Sequence, residues 1–282
     1  MQLGYSTWGM PDTPIDTILA HLAGLGFDGV EIAVLPRYTT ALSKLDNGER
    51  RRIAGLLQQH KLTLSAISSY VSTIEPDAVA YAENHAAIQG AVDLAVDWAQ
   101  DGEPPVVITG IAGQRGQLAA HQAQLVERLN ALGDYAQERG VIIALEPHID
   151  AAVETPDQAV ALMTLIQSPA IRINFDISHF NILGIPIEDS VKKLLPYSVH
   201  THVKDERGQY PNFEFVIPGE GEFDYVRYLK AMHAHGYSGF VSTEISMMVQ
   251  RRPNYDALAT ATQSYQVLSA AFAAAGLERR RP

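Results

Sequence analysis

At 282 residues the chain is long enough for one large α/β domain or two small ones, and 46% hydrophobic residues fill a sizeable core, which excludes disorder and collagen-like architecture. With 32 acidic against 21 basic residues, the net charge of −11 opposes binding to phosphate backbones. There is no cysteine, so disulfide scaffolds, Cys-ligated zinc, iron–sulfur clusters and thiol nucleophiles are excluded together, and any metal must sit on His, Asp and Glu.

Short β-rich runs alternate with amphipathic segments along the whole chain. The pattern predicts a strand at Leu3–Thr7 and a helix over Ile15–Leu25, then Gly29–Ala33 with Asn47–His60, and Leu62–Ser68 with Asp77–Gln100. Val106–Thr109 pairs with Gln117–Arg139, Val141–Glu146 with Pro156–Gln167, and Ile171–Asp176 with Ile187–Leu194. Ser198–Val203 with Glu222–His235 and Gly239–Glu244 with Tyr255–Ala275 complete the series. Gly26, Gly140 and Gly236 stand where helix C-termini need a left-handed residue.

Eight strand-then-helix units predict an α/β fold, a single (β/α)8 barrel spanning residues 1–282, rather than a doubly wound sheet. No G-x-G-x-x-G follows the first strand, and the Gly/Pro-rich stretch Pro218-Gly219-Glu220-Gly221 falls inside one βα connection, so no domain boundary is expected. The short basic tail Glu278–Pro282 is expected to be a frayed end. No apolar run approaches the roughly 18 residues of a membrane span. Met1–Tyr5 has neither a basic region nor an apolar signal core, so the sequence predicts a cytoplasmic protein with no membrane or nucleic-acid partner.

In such a barrel the functional groups lie at the C-terminal ends of the strands. The last four predicted strands end in Leu145-Glu146-Pro147-His148, Phe175-Asp176-Ile177-Ser178-His179, His202-Val203-Lys204-Asp205 and Thr243-Glu244-Ile245. A carboxylate after an apolar run is costly at the rim of a packed core unless its charge is compensated. Four such donors from adjacent strands, without an equal number of Lys or Arg at neighbouring strand ends, point to a divalent cation on Glu146, Asp176, His202 and Glu244. The alternative is that each is satisfied by backbone amides and by Lys204 and Arg207. Three carboxylates and one imidazole favour Mn2+, with Mg2+ or Co2+ as substitutes, over a structural zinc, and leave about two positions for substrate oxygens.

These runs, with Phe27-Asp28-Gly29-Val30-Glu31 and Pro218-Gly219-Glu220-Gly221-Glu222-Phe223, resemble the xylose isomerase-like TIM barrels of the sugar phosphate isomerase/epimerase superfamily over essentially the whole chain. The resemblance implies the same four metal ligands. It also implies proton transfer at a keto sugar or related polyol through a metal-stabilised cis-enediolate, with Glu146 and Glu244 as the catalytic pair. Long-chain xylose isomerases carry a Lys where this chain has His148, which argues against hydride-shift isomerisation. The ketose 3-epimerases carry a Glu where this chain has Ala152, with Asp150 and Glu154 out of step. The strand-seven run is also similar to inosose dehydratases, so a metal-dependent lyase acting on an inosose or a keto-glycoside is the alternative, with His148, His179 or Lys204 as its general acid.

His179, Arg207 and His148 are the expected substrate contacts, the alternatives for His179 and Arg207 being a loop cap and a solvated arginine. His200 has the strand parity of His202 and is expected one layer deeper, hydrogen-bonded in the core. Tyr5 and Trp8 are expected to pack at the first strand end, the alternative being a pocket wall. The endonuclease IV-like nucleases of the same fold need further His ligands, and Leu35–Thr40 and Ser68–Thr73 contain none. The expected partner is a small carbohydrate. Substrate, stereochemistry, native metal and subunit count stay open, and a homo-oligomer is compatible with the sequence.

Overall fold

Runs such as Ile143-Ala144-Leu145 and Val106-Val107-Ile108 carry apolar residues on both faces, which suits strands covered by helices on one side and by a barrel interior on the other. The structure, a computed structural model, describes residues 1–279. It closes eight parallel strands into that barrel: β1 (Gln2–Ser6), β2 (Gly29–Ala33), β3 (Thr63–Ser68), β4 (Val106–Gly110), β5 (Ile143–Glu146), β6 (Ile171–Asp176), β7 (Ser198–Val203) and β10 (Phe240–Thr243), with β10 returning to β1. Two pairings carry an extra residue on one strand, Ser65 of β3 against β2 and Val199 of β7 against β6.

The outer layer consists of α1 (Ile15–Leu25), α2 (Asn47–His60), α3 (Ala78–Asp97), α4 (Leu118–Gln137), α5 (Pro156–Leu165), α7 (Ile187–Leu194), α8 (Tyr225–Ala234) and α10 (Ala257–Ala275). Their ends follow local chemistry. In α5 the Thr155 hydroxyl accepts from Gln158 N while the Gln158 side chain accepts from Thr155 N, with Pro156 in the first turn. The helix α3 stops at Asp97, short of the expected Gln100, because the Gln100 amide leaves the helical path to hold Leu62 and Leu64 at the foot of β3. The strand expected from Val141 begins at Ile143, since Val141 N is used to close the end of α4 on Ala136 O.

Two short helices, α6 (Ser178–Asn181) and α9 (Met247–Gln250), and one antiparallel hairpin, β8 (Asp205–Gln209) with β9 (Asn212–Val216), were not expected. The hairpin grows out of the end of β7. Asp205 ties its base to the glycine-rich stretch by accepting hydrogen bonds from Gly219, Gly221 and Phe223 N. A Cβ on Gly221 would meet Asp205 Oδ1 at 2.2 Å, so this turn requires glycine.

The main core lies between barrel and helices, and a small layer of Ala66, Ile108 and Ala144 fills part of the barrel interior. Among the described residues no helix is long and apolar enough to cross a membrane. Of the basic tail, residues 280–282 lie outside the described residues. Arg279 is docked rather than frayed, because its Nη1 donates to Gly26 O at 3.0 Å and its guanidinium lies over Tyr265.

Candidate metal centre

The barrel brings Glu146, Asp176, His202 and Glu244 together from the ends of β5, β6, β7 and β10. All four are buried, and each offers a donor atom within 4.8 Å of the others. In the ring of strands β6 and β7 separate β5 from β10, so Glu146 and Glu244 flank the group while Asp176 and His202 stand between them.

Each donor is held by neighbours. Glu146 Oε2 accepts from the Tyr70 hydroxyl and from Asn174 Nδ2, the latter at 2.6 Å. Asp176 Oδ1 accepts from Ser178 N at the start of α6. His202 presents Nδ1 to Glu146 at 3.1 Å and to Glu244 at 3.7 Å, while its Nε2 faces Glu31 Oε2 at 2.5 Å. The Ser6 hydroxyl donates to the other oxygen of Glu31, so a buried chain Ser6, Glu31, His202 runs from β1 to the cluster. His200 lies deeper, as its parity predicts, between Asn174 Oδ1 and the Ser242 hydroxyl.

Lys204 is also buried, and its Nζ pairs with Asp176 and with Glu244, the latter at 2.6 Å. Lys204 is thus the one expected compensator that reaches the cluster, Val203 packing in the core outside the barrel while Lys204 points in. Arg207 does not share that compensation. It is exposed on β8, pairs with Glu214 at 3.2 Å and is absent from the lining of the cavity.

Burial works to raise every carboxyl in this cluster, and nearby charge decides the outcome. At Glu146, contacts from His179 and His202 and the charge of Lys204 outweigh burial and hold the carboxyl well below its ordinary range. Burial is likewise outweighed at Asp176, chiefly by Lys204, and at Glu31, chiefly by His202, so that both sit at about 2. Glu244 stays above its ordinary value because burial, helped by the charges of Glu146 and Asp176, exceeds the pull of Lys204 and His202. Burial lowers His179 to about 4. Both of its ring nitrogens lack a hydrogen-bond partner, although Nε2 lies 3.5 Å from Glu146 and from Asp176.

These residues fit a hard divalent cation. Four buried carboxylates, counting Glu31, stand against one buried lysine, Lys204, and the donor set is mainly oxygen.

A cavity of about 520 Å³ opens above the cluster, with Glu146, Glu244, His179 and Lys204 at its floor. His148 and His179 both line it, their rings 3.8 Å apart between centroids, and Trp8 contributes a wall. Tyr5 packs in the core against Phe27. Asp150 and Glu154 are engaged by Arg115. Sequence reasoning singled out neither Tyr70, Asn174 nor Glu31 as part of the site. Glu31 stood inside a quoted run, and strand alternation, which sends Val30 and Ile32 to the core outside the barrel, turns it inward toward His202.

The model of the xylose isomerase-like TIM barrel family matches residues 19–267. The inosose dehydratase of Salmonella typhimurium is 26% identical over 202 residues, covering 66% of this chain, and the chain spans 60% of that enzyme's length. The fructoselysine 3-epimerase of Shigella flexneri is 23% identical over 261 residues, 90% of this chain and 93% of that protein. Among solved structures, a xylose isomerase-like TIM barrel protein from Mycobacterium smegmatis in complex with magnesium superposes with a TM-score of 0.72 at 20% identity, covering 97% of each chain.

Proposed function

The chain belongs to the xylose isomerase-like TIM barrel family, and from that premise we propose that it is a divalent-metal-dependent isomerase or epimerase of a keto sugar or related polyol, with Mn2+ as the preferred ion. The observation that carries the reading is the placement of two buried carboxylates, Glu146 and Glu244, on either side of Asp176 and His202. Glu146, Asp176, His202 and Glu244 would hold the ion. When bound, it would polarise a carbonyl and the adjacent hydroxyl, making the proton on the carbon between them acidic.

This chain's residues then do the proton work. One glutamate takes the proton from one face of that carbon, and the other returns a proton to the opposite face, which inverts the centre; return to the neighbouring carbon isomerises it instead. Tyr70 and Asn174 fix Glu146 so that its carboxylate is already oriented before substrate arrives. His179 and His148 face the substrate's hydroxyls from the cavity wall.

Elimination is the second reading, favoured by the paired rings of His148 and His179, which could protonate a leaving group at the next carbon, and by likeness to an inosose dehydratase. Keto sugars, keto-inositols and keto-glycosides incubated with Mn2+-loaded protein in deuterium oxide separate the two. A product of unchanged formula carrying deuterium at one carbon is expected. A product lighter by water or by an aglycone would make the enzyme a lyase, and no turnover of any of these by metal-loaded protein would sink both readings.

A further inference from the structure

The cavity above the cluster is divided by chemistry. Its floor is ionic, but its sides are Trp8, Ile149, Phe213, Phe215, Met247 and Met248. Phe213 and Phe215 are carried by β9, and the two methionines by α9, so both insertions contribute to one apolar wall. The wall is built rather than incidental. Phe215 N donates to Met248 Sδ at 3.5 Å, the rings of Phe213 and Phe215 meet edge to face, and Arg37 lies over Trp8 while its Nη2 donates to Met247 Sδ. Phe213 is only half-buried and Met248 is 46% exposed, which leaves their apolar surface facing water.

A free sugar can lay one C–H face on a single ring, but that leaves most of this wall uncovered, and edge hydroxyls turned toward Phe213 or Met248 would lose water without gaining a partner. The volume of about 520 Å³ lies within the ~300–1,000 Å³ typical of pockets that enclose drug-sized ligands, and it leaves room beyond a six-carbon ring. We propose that the substrate is a keto sugar bearing an apolar, ring-sized substituent, with its keto-polyol end on the carboxylate floor and the substituent against the wall formed by Phe213, Phe215 and Met248. This substrate class rests on the keto-sugar reading above.

The test uses 3-keto-glucose and its phenyl glycoside with the Mn2+-loaded full chain, with affinity followed by calorimetry and deuterium uptake followed in parallel. The phenyl glycoside is expected to bind about 10- to 100-fold more tightly, the worth of covering an aromatic ring. Phe213→Ala is expected to cut that ratio below about threefold. Met248→Ala, at an exposed position where folding is not at stake, is expected to lower it by about threefold. Equal affinities, with the unsubstituted sugar bound and taking up deuterium, would overturn the inference and leave the keto-sugar reading standing. A ratio unchanged in both variants would overturn it as well. No deuterium uptake from either sugar would overturn that reading and the substrate class together.

Discussion

His202 is held by both of its ring nitrogens: Nε2 faces Glu31 at 2.5 Å while Nδ1 is turned to Glu146 and Glu244. A carboxylate behind a ligand imidazole sets its tautomer and raises its basicity. Glu31→Gln keeps the size and one acceptor but removes the charge, so Mn2+ affinity is expected to fall by roughly 10- to 100-fold with the fold retained. Chelator competition measures this, and an unchanged affinity would show that Glu31 does not support the cluster.

Lys204 and an arriving cation would share Asp176 and Glu244. Like charges a few ångströms apart in a buried site repel by several kcal/mol even at an effective dielectric of about 20. Lys204→Met should therefore bind Mn2+ at least about tenfold more tightly than the parent chain, whatever happens to turnover. Weaker binding, read by the same competition, would mean that the lysine organises the carboxylates rather than competing for them.

If Glu146 and Glu244 transfer protons as proposed, Glu146→Gln and Glu244→Gln each preserve an oxygen donor while removing the base. Turnover of an accepted substrate is expected to drop by roughly 10²–10⁴ in either variant, the usual worth of a positioned acid or base. If both retain near-normal rates of deuterium exchange, proton transfer belongs to other residues, His148 and His179 first.

Glu206 supplies a pH test on a carboxyl outside the four-residue cluster. Burial, with the charges of Asp176 and Asp205, pushes its carboxyl up to about 8 despite a hydrogen bond from Asn181 at 2.7 Å, and its Oε2 has no partner. Because the folded value exceeds the unfolded one, this group's contribution to stability is full below the ordinary glutamate range and is lost as pH rises toward about 8. Glu206→Gln should match the parent near pH 4 and exceed it by a few kcal/mol near pH 9. Urea denaturation across that range decides it; parallel pH profiles for the two chains would refute the assignment.

How much of this was legible depends on whether the signal was local. Glu146, Asp176, His202 and Glu244 each stand at the end of a predicted strand, and the barrel rule alone sends such strand ends to one place. Asn174 has the parity of Asp176, and Glu31 stands opposite Ser6 of β1, so alternation alone sends both inward; what no single segment encodes is the partner each meets, since Glu146 and His202 come from other strands. Arg207 was expected near substrate by its distance from His202, but β8 intervenes and carries it outward. The hairpin left little trace because Asp205-Glu206-Arg207-Gly208-Gln209 contains no apolar residue and so shows no alternation.

The hairpin and α9 join the barrel at the tips of the strands that carry His202 and Glu244, yet contribute none of the four clustered donors themselves. The wall of the cavity and the cluster at its floor are thus carried by separate stretches of chain. If the proposed reading holds, exchange of Met247–Gln250 for another loop would reshape what the cavity accepts while leaving the four clustered donors in place.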